Sequence, residues 1–304
     1  MTALVEVVDP TVAARVKARD LLRAIRPQQW VKNVLVLAAP AAAGVLFHRS
    51  VLLDTLVALL SVTLTASACY LLNDVLDRDL DRRHALKRLR PIASGAVPVR
   101  LALVVAGCLV CLGLMLAALV GIGLLVVVAS YLTLTIAYAV WLKHVPWIEM
   151  VIVASGFVLR AVAGAVAAGV YASEWFLVVV SAAAVHVVAS KRASELLHRR
   201  QDARPVLRAY TAYSLRSVRL ASAALLLLAY VGWALARSGT LETVLAAVSV
   251  LPVALVLARW IWCTDRGETG APERVLASDP LIRNGVAAWA LSFSATMLAA
   301  LWGM

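Results

Sequence analysis

Charge is what this sequence has least of. Only 15% of its 304 residues are Asp, Glu, Lys or Arg, and the mean hydropathy is +0.89, well outside the make-up of water-soluble domains. That scarcity excludes a soluble globular protein and leaves an integral membrane protein. Strict alternation of apolar and polar residues is missing too. The apolar runs are continuous, which excludes a transmembrane β-barrel and leaves helices to satisfy the backbone. Cysteine is rare: Cys69, Cys108, Cys111 and Cys263 all lie in or beside apolar runs. Cys108 and Cys111 form a lone CxxC without histidine or further cysteine nearby, a pattern expected of small buried residues rather than of a metal or redox pair. The first thirty residues have no apolar core of the kind a cleavable signal peptide needs. Residues 12–25 instead alternate apolar and basic groups at helical spacing, which predicts an interfacial helix on anionic lipid within an N-terminal segment 1–28.

At roughly 20 apolar residues per crossing, spans are expected at 33–48, 51–72, 99–118, 121–141, 147–170, 174–191, 217–236, 241–262 and 285–302. The expected fold is therefore all-α, a polytopic bundle of nine transmembrane helices, with residues 1–304 forming one membrane domain. The net charge of +12 raises the question of nucleic acid, and the placement of the cations answers it. With the N-terminus in the cytoplasm, every basic residue except Arg49, Arg160 and Arg237 falls in a cytoplasmic segment, as the positive-inside rule requires. The partner is the membrane lipid and not nucleic acid. A bacterial plasma-membrane protein with its chemistry on the cytoplasmic side is expected, because the outer connections are short and bare. A homo-oligomer is compatible with the sequence, which fixes no oligomeric state.

The stretch NDVLDRDLDRRHALKRLRPIASG, residues 73–95, concentrates opposite charges directly after the second span. On a helix turning about 100° per residue, Asn73, Asp77, Asp81 and Asp74 fall within one face about 100° wide, while Asp79 points away. Carboxylates crowded in this way repel unless a cation sits among them. Hard oxygen donors suit Mg²⁺, which keeps several waters and is shared with substrate phosphates. A solvated helix end paired with the neighbouring arginines is the competing reading, and the cost of ionisable groups beside a membrane span weighs against it. Lys87, Arg88 and Arg90 follow before Pro91 stops the helix and Ser94-Gly95 permits a turn. Metal with fixed cations beside it is how a departing diphosphate is held.

Asn73, Asp74, Asp77 and Asp81, followed by Lys87-Arg88 and Arg90-Pro91-Ile92-Ala93-Ser94-Gly95, resemble the UbiA superfamily of intramembrane transferases, whose motifs read NDxxDxxxD and KRxRPI(A/S)xG. The resemblance implies a nine-helix bundle whose Mg²⁺-dependent site opens to the cytoplasm and sideways to lipid. Most of that superfamily carries a second aspartate-rich motif after the sixth span. Here the place reads HVVASKRASELLHRR, residues 186–200, with Lys191, Arg192 and Glu195 on one helical face. One carboxylate among several cations suits an additional anion rather than a second metal. Together with RPQQWVKN at 26–33 and SGFVLRAVAGA at 155–165, this resembles the decaprenyl-phosphate phosphoribosyltransferases of mycobacteria and related actinobacteria.

The resemblance implies transfer of 5-phosphoribose from 5-phosphoribosyl diphosphate to a polyprenyl phosphate, with loss of diphosphate, for cell-wall arabinan synthesis. On this reading Asp74, Asp77 and Asp81 hold the Mg²⁺-diphosphate, Asn73 orients them, and Lys87 and Arg90 contact the diphosphate. Lys191 and Arg192 would hold the ribose 5-phosphate or the acceptor phosphate, and Glu195 a ribose hydroxyl or one of those cations. Arg160, costly in mid-span, is a candidate phosphate ligand at the cavity floor, and Lys32 and Asn33 are candidates at the membrane edge. His186 is expected to be structural, Tyr210 to stack on a ribose or sit at the interface, and Asp265, Glu268, Glu273 and Asp279 to lie in a solvated loop or a lid. No Ser-His-Asp grouping is evident, and an acceptor already anionic at neutral pH needs none. The alternatives are an aromatic prenyltransferase of quinone or haem biosynthesis, which wants metal at both ends of its donor, and a secondary transporter, whose sites lie nearer the midplane. A lipid-binding scaffold would leave the aspartate spacing unexplained.

Overall fold

The computed structural model describes residues 17–198, 205–237 and 239–302. Within them the chain runs as Ala18–Ala24 (α1), a 3-10 stretch Pro27–Leu37, Ala38–Ala42 (α2), Arg49–Leu76 (α3), Arg78–Arg83 (α4), Val99–Val120 (α5), Ile122–Val140 (α6), Ile148–Ala167 (α7), Glu174–Leu197 (α8), Ala212–Leu235 (α9), Thr240–Asp265 (α10), Pro272–Ser278 (α11) and Pro280–Trp302 (α12). Among the described residues, seven helices are long and apolar enough to cross a membrane: α3, α5, α6, α7, α8, α9 and α10. They coincide with seven of the nine expected spans, and α12 occupies the place of the ninth. α1 forms within the expected interfacial helix, of which residues 12–16 lie outside the described residues.

The first expected span, 33–48, is not one helix. Its place is taken by eleven residues of 3-10 structure and the five-residue α2. Runs of 3-10 geometry this long are uncommon, and non-helical backbone beside lipid is tolerated only where protein buries it. Here α3 and α7 do so. Val36 is fully buried, and its carbonyl lies against Gly164 of α7 so closely that a β-carbon there would overlap it. Asn33, 1% exposed, donates from Nδ2 to Thr63 Oγ1 on α3 at 3.0 Å.

Packing follows membrane rules, with small side chains between helices and large ones outside. The buried positions of α7 include Ala154, Gly156, Ala161, Ala163, Gly164, Ala165 and Ala167, whereas Leu103, Leu119, Leu228, Leu251 and Leu291 are exposed. Serine and threonine tie helices together: Ser61 Oγ donates to the Gly113 carbonyl at 2.7 Å, joining α3 to α5. The cysteines divide differently from expectation. Cys69 and Cys263 are buried, but Cys108 and Cys111 are exposed on α5, whose buried face is a line of Ala102, Ala106, Gly113 and Ala117. The CxxC spacing turns both thiols away from that line.

α3 has 28 residues, about 42 Å of helix against roughly 30 Å of hydrocarbon, so its last turns reach beyond the apolar layer. It ends at Asp77, whose φ of −89° and ψ of 2° break the helix before α4 begins. The chain then passes through the 3-10 turn Lys87–Leu89 and folds back, Gly95 supplying the positive φ of 85° that the reversal needs. Ile92 and Val97 are buried against Leu71, Ala24 and Ala102, and Arg82 Nε donates to the Ala93 carbonyl at 2.9 Å. The charged loop is thereby anchored at both ends.

The connection after α10 is fastened as well. Thr269, fully buried, donates to the Ser190 carbonyl at 3.1 Å, and Ser194 Oγ donates to the Gly267 carbonyl. Asp265 pairs with Arg219 at 2.9 Å and Asp279 with Arg259 at 2.9 Å, while Glu273 accepts from Gln29 Nε2 at 3.0 Å. Three of the four acids expected in a solvated loop therefore pin that loop to its neighbours.

The Val36–Gly164 approach is testable. Gly164→Ala should destabilise the protein by about 1–3 kcal/mol, as forced overpacking does, read as a lower midpoint of thermal unfolding in detergent. An unchanged midpoint would mean that the 3-10 stretch does not lie against α7.

Candidate active site

Five of the sequence-predicted polar residues, Asn73, Asp74, Asp77, Asp81 and Arg90, assemble at the end of α3. Asp74 and Asp81 are 2% and 3% exposed, and one nitrogen joins them: Arg90 Nη1 lies 3.1 Å from Asp74 Oδ1 and 2.6 Å from Asp81 Oδ2. Arg26 also donates to Asp74 Oδ1. Asp77 accepts from Asn73 Nδ2 at 3.1 Å and from Lys143. The helix break at Asp77 does not scatter the cluster, because α4 brings Asp81 back to the same guanidinium. Asp79 points away as its spacing predicts, its side chain 83% exposed.

Two cavities adjoin this ion cluster. One, of about 430 Å³, is lined by Asn73, Asp77, Asp81, Lys87, Tyr138 and Lys143 among others. The second, of about 410 Å³, lies on the other side of Asp74, beneath α1 and the 86–91 turn. Arg26 borders both. The donor set suits a hard divalent cation: three carboxylates and one amide oxygen, all able to bind by oxygen. Among the described residues no three His, Cys, Asp or Glu side chains converge on one point, and Arg26, Arg90 and Lys143 neutralise the carboxylates. A Mg²⁺ that takes one or two carboxylates, water and substrate phosphate fits Asp77 and Asp81 beside the larger cavity.

The second motif is organised around Arg192, 2% exposed. Its Nε and Nη2 donate to the two oxygens of Glu149 at 2.5 and 2.6 Å, and Nη1 donates to Glu195 Oε2 at 2.6 Å. Every nitrogen of the guanidinium thus meets a carboxylate oxygen, the bidentate geometry that makes such pairs strong. Glu149, fully buried, also accepts from the Tyr210 hydroxyl at 3.1 Å. Burial pushes the Tyr210 phenol up to about 12, which keeps it a donor to Glu149 at any physiological pH. Val206, in the turn that leads into Tyr210, lines the carboxylate cavity. Lys191 acts on Glu273 of α11, whose carboxyl burial would raise, but a backbone hydrogen bond, Lys32, Gln29 and Lys191 together hold it below the usual range.

Arg160 and Asn33 form a separate clamp. Arg160 Nε donates to Asn33 Oδ1 at 2.7 Å, Nη1 to the Gly156 carbonyl at 2.6 Å, and Nη2 to the Tyr131 hydroxyl at 2.8 Å. The mid-span arginine is held by neutral oxygens and by the faces of Tyr131 and Phe157. Lys32 donates to Gln29 and lies 3.8 Å from Glu273. Burial holds its amine below the ordinary lysine value, Glu273 opposing the shift. His186 is buried with Nδ1 2.9 Å from the Arg219 carbonyl, a structural placement.

Sequence reasoning did not single out Arg26, Lys143, Glu149 or the Glu149–Tyr210 bond. Arg26 stood in a segment already noted for its resemblance, and that was the one available signal. Lys143 and Glu149 lie in a short connection and at a helix start, with no spacing that marks them.

The Glu149–Arg192 pair predicts a specific pattern of stability. Glu149→Leu or Arg192→Met alone should cost about 3–5 kcal/mol by stranding a buried charge, and the double variant should recover much of that loss. Thermal unfolding of the three purified variants checks this; equal losses that simply add would show that the pair is not buried.

Comparison with known proteins agrees with this geometry. Residues 34–291 match the UbiA prenyltransferase family. The chain is 39% identical over 281 residues to the decaprenyl-phosphate phosphoribosyltransferase of Corynebacterium glutamicum, covering 90% of this chain and 85% of that one. It is 39% identical over 284 residues to the protein of the same name from Mycobacterium tuberculosis, covering 91% and 94%. Its backbone superposes on a UbiA homologue from Archaeoglobus fulgidus bound to GPP and Mg²⁺ with a TM-score of 0.70 at 18% identity, covering 92% and 98%. An all-helical membrane bundle, an aspartate cluster at the end of its longest helix and near-full-length likeness to named transferases lead to one conclusion: this chain belongs to the UbiA prenyltransferase family and is a transferase.

Proposed function

We propose that this transferase moves the 5-phosphoribosyl group of 5-phosphoribosyl diphosphate onto a polyprenyl phosphate, with Mg²⁺ as cofactor and diphosphate as the leaving group. The product would serve cell-wall arabinan synthesis, and the reaction would take place on the cytoplasmic side of the plasma membrane, where the basic segments lie. The observation that carries the reading is the second motif. Where a prenyl-diphosphate enzyme of this family would place more carboxylates, this chain has Lys191, Arg192 and Glu195; Glu149 and Glu195 hold Arg192, and Lys191 is the cation of the set that we assign to another phosphate. The relatives at 39% identity, named for ribosyl transfer to decaprenyl phosphate, support the same choice.

In the reaction the bond from ribose C1 to diphosphate breaks, the electron pair leaving with diphosphate. An oxygen of the acceptor phosphate forms the new bond to C1. Positive charge develops on the ribose while negative charge collects on the leaving group, so the work of the site is neutralisation and positioning. Mg²⁺ would supply charge neutralisation for the diphosphate when bound; Asp77 and Asp81 would hold it, and Asp74 would act beside them through the Arg90 guanidinium it shares with Asp81. Asn73 orients Asp77, Lys87 and Lys143 face the diphosphate from the cavity wall, and Arg90 holds Asp81 in place beside them. Lys191 takes the ribose 5-phosphate and Glu195 a ribose hydroxyl. Arg192 serves them through the helix, because Glu149 fixes its guanidinium. Arg160 and Asn33 hold the 3-10 stretch that carries Lys32 to the edge of the site. The acceptor is already anionic, so no general base is required.

The test incubates purified protein with Mg²⁺, labelled 5-phosphoribosyl diphosphate and a polyprenyl phosphate. Label should enter the organic phase and disappear with EDTA. Asp77→Asn should lower the rate by about 100-fold or more, as loss of a metal-binding or charge-stabilising group does; a rate near that of the parent would overturn the metal role. Absence of label together with prenyl transfer from a prenyl diphosphate to an aromatic acid would instead establish an aromatic prenyltransferase.

A further inference from the structure

Arg26 is exceptional in four ways at once. Its backbone is left-handed, with φ 55° and ψ 64°, a region where a β-carbon is crowded and which is disfavoured unless the surroundings enforce it. It stands before Pro27, whose ring restricts it further. Its guanidinium donates to the buried Asp74 and lies 5.3 Å from the centre of the Tyr70 ring. And it is shared by the two cavities that flank the ion cluster.

The cavity of about 410 Å³ has a composition of its own. Arg23, Arg26 and Arg90 face a single carboxylate, Asp74, with the amides of Gln28 and Gln29 beside them. Among the described residues, Arg26 gives only Nη2 to Asp74, and Arg90 gives only Nη1 to Asp74 and Asp81. Arg23, its side chain 57% exposed, has Asp20 at a distant 3.7 Å. The cavity thus holds an excess of guanidinium over carboxylate, the environment that captures phosphate. Its rim is of the opposite character: Leu86 and Leu89 line it and are 61% and 73% exposed. Cations below and bare leucines above match an amphiphile with a phosphate head.

We propose that this cavity seats the phosphate of the lipid acceptor, with Arg23 and Arg26 as its ligands and Leu86 and Leu89 against the start of its hydrocarbon chain. The inference rests on the reading that the acceptor is a lipid phosphate. It separates the two substrates: the soluble donor enters the carboxylate cavity and the lipid enters beneath α1. Two anions brought together repel each other, and the Arg26 guanidinium bordering both cavities offsets that repulsion where they meet.

The experiment measures binding without turnover. Labelled polyprenyl phosphate is titrated against the full-length protein in detergent, with 5-phosphoribosyl diphosphate absent. Arg23→Ala should weaken lipid binding about tenfold, the worth of one charge-assisted contact, and Arg23→Lys should restore part of it. Binding of 5-phosphoribosyl diphosphate with Mg²⁺ should change by less than about twofold, since Arg23 lies outside the carboxylate cavity. Unlabelled polyprenyl phosphate should displace the label, whereas inorganic phosphate or unphosphorylated polyprenol at the same concentration should not. Unchanged lipid binding in Arg23→Ala overturns the proposal, as does weaker binding of the donor in its place. Displacement by inorganic phosphate as effective as by the lipid also overturns it, leaving a site for free anions. Because no step of transfer is read, failure of the labelled-donor assay and failure of this assignment are distinguishable.

Discussion

A carboxylate taken out of water loses several kcal/mol of solvation that only a well-placed partner returns, and one end of this bundle takes three out of water. Asp74, Asp81 and Glu149 are each 3% exposed or less. Each is met by guanidinium: Arg26 and Arg90 at the first pair, Arg192 at the third. These pairings decide where the connections go. Arg90 draws the loop after α4 back over the end of α3, and Arg26 brings the start of the 3-10 stretch to the same place. Glu149 fastens α7 to α8 and, through Tyr210, to the turn before α9. Together with the buried Ile92 and Val97, these pairings close the loops over the cavities.

The same constraint, relaxed from charge to dipole, governs the middle of the bundle. Eleven residues of 3-10 backbone survive between α3 and α7 because their polar groups find partners inside the protein. Asn33 joins Thr63 on one side and Arg160 on the other, and the glycine at 164 lets the backbone of Val36 approach. The bundle is therefore irregular only where small residues and internal hydrogen bonds make irregularity cheap. The long helices around the 3-10 stretch expose leucine to lipid.

Spans, handed faces and punctuation were legible in the sequence because each depends on residues a few positions apart. Hydropathy located the long helices, the spacing of Asn73 and Asp77 placed them side by side, and Pro91 and Gly95 marked the turn, whereas Asp81 returns to Asp74 through the helix break at Asp77 and the shared Arg90. What stayed hidden depends on residues far apart in the chain. Arg192 and Glu149 are 43 positions apart and Arg160 and Asn33 127, and no periodicity relates them. The first span was misjudged for a related reason: the stretch from Val34 onward is apolar enough for a helix, and only packing against α7 shows that it is wound more tightly. Composition assigned Cys108 and Cys111 to the interior, and both are exposed. In lipid, apolar character does not distinguish inside from outside.

The left-handed backbone at Arg26 has an evolutionary consequence. Glycine would relax the main chain at that position but carries no guanidinium to reach Asp74, and any other side chain keeps the crowding while giving up the fork that pairs with a carboxylate. Every single step away from arginine therefore loses something without a compensating gain. Main chain and side chain thus make opposite demands at this one position, and arginine meets the second at the expense of the first.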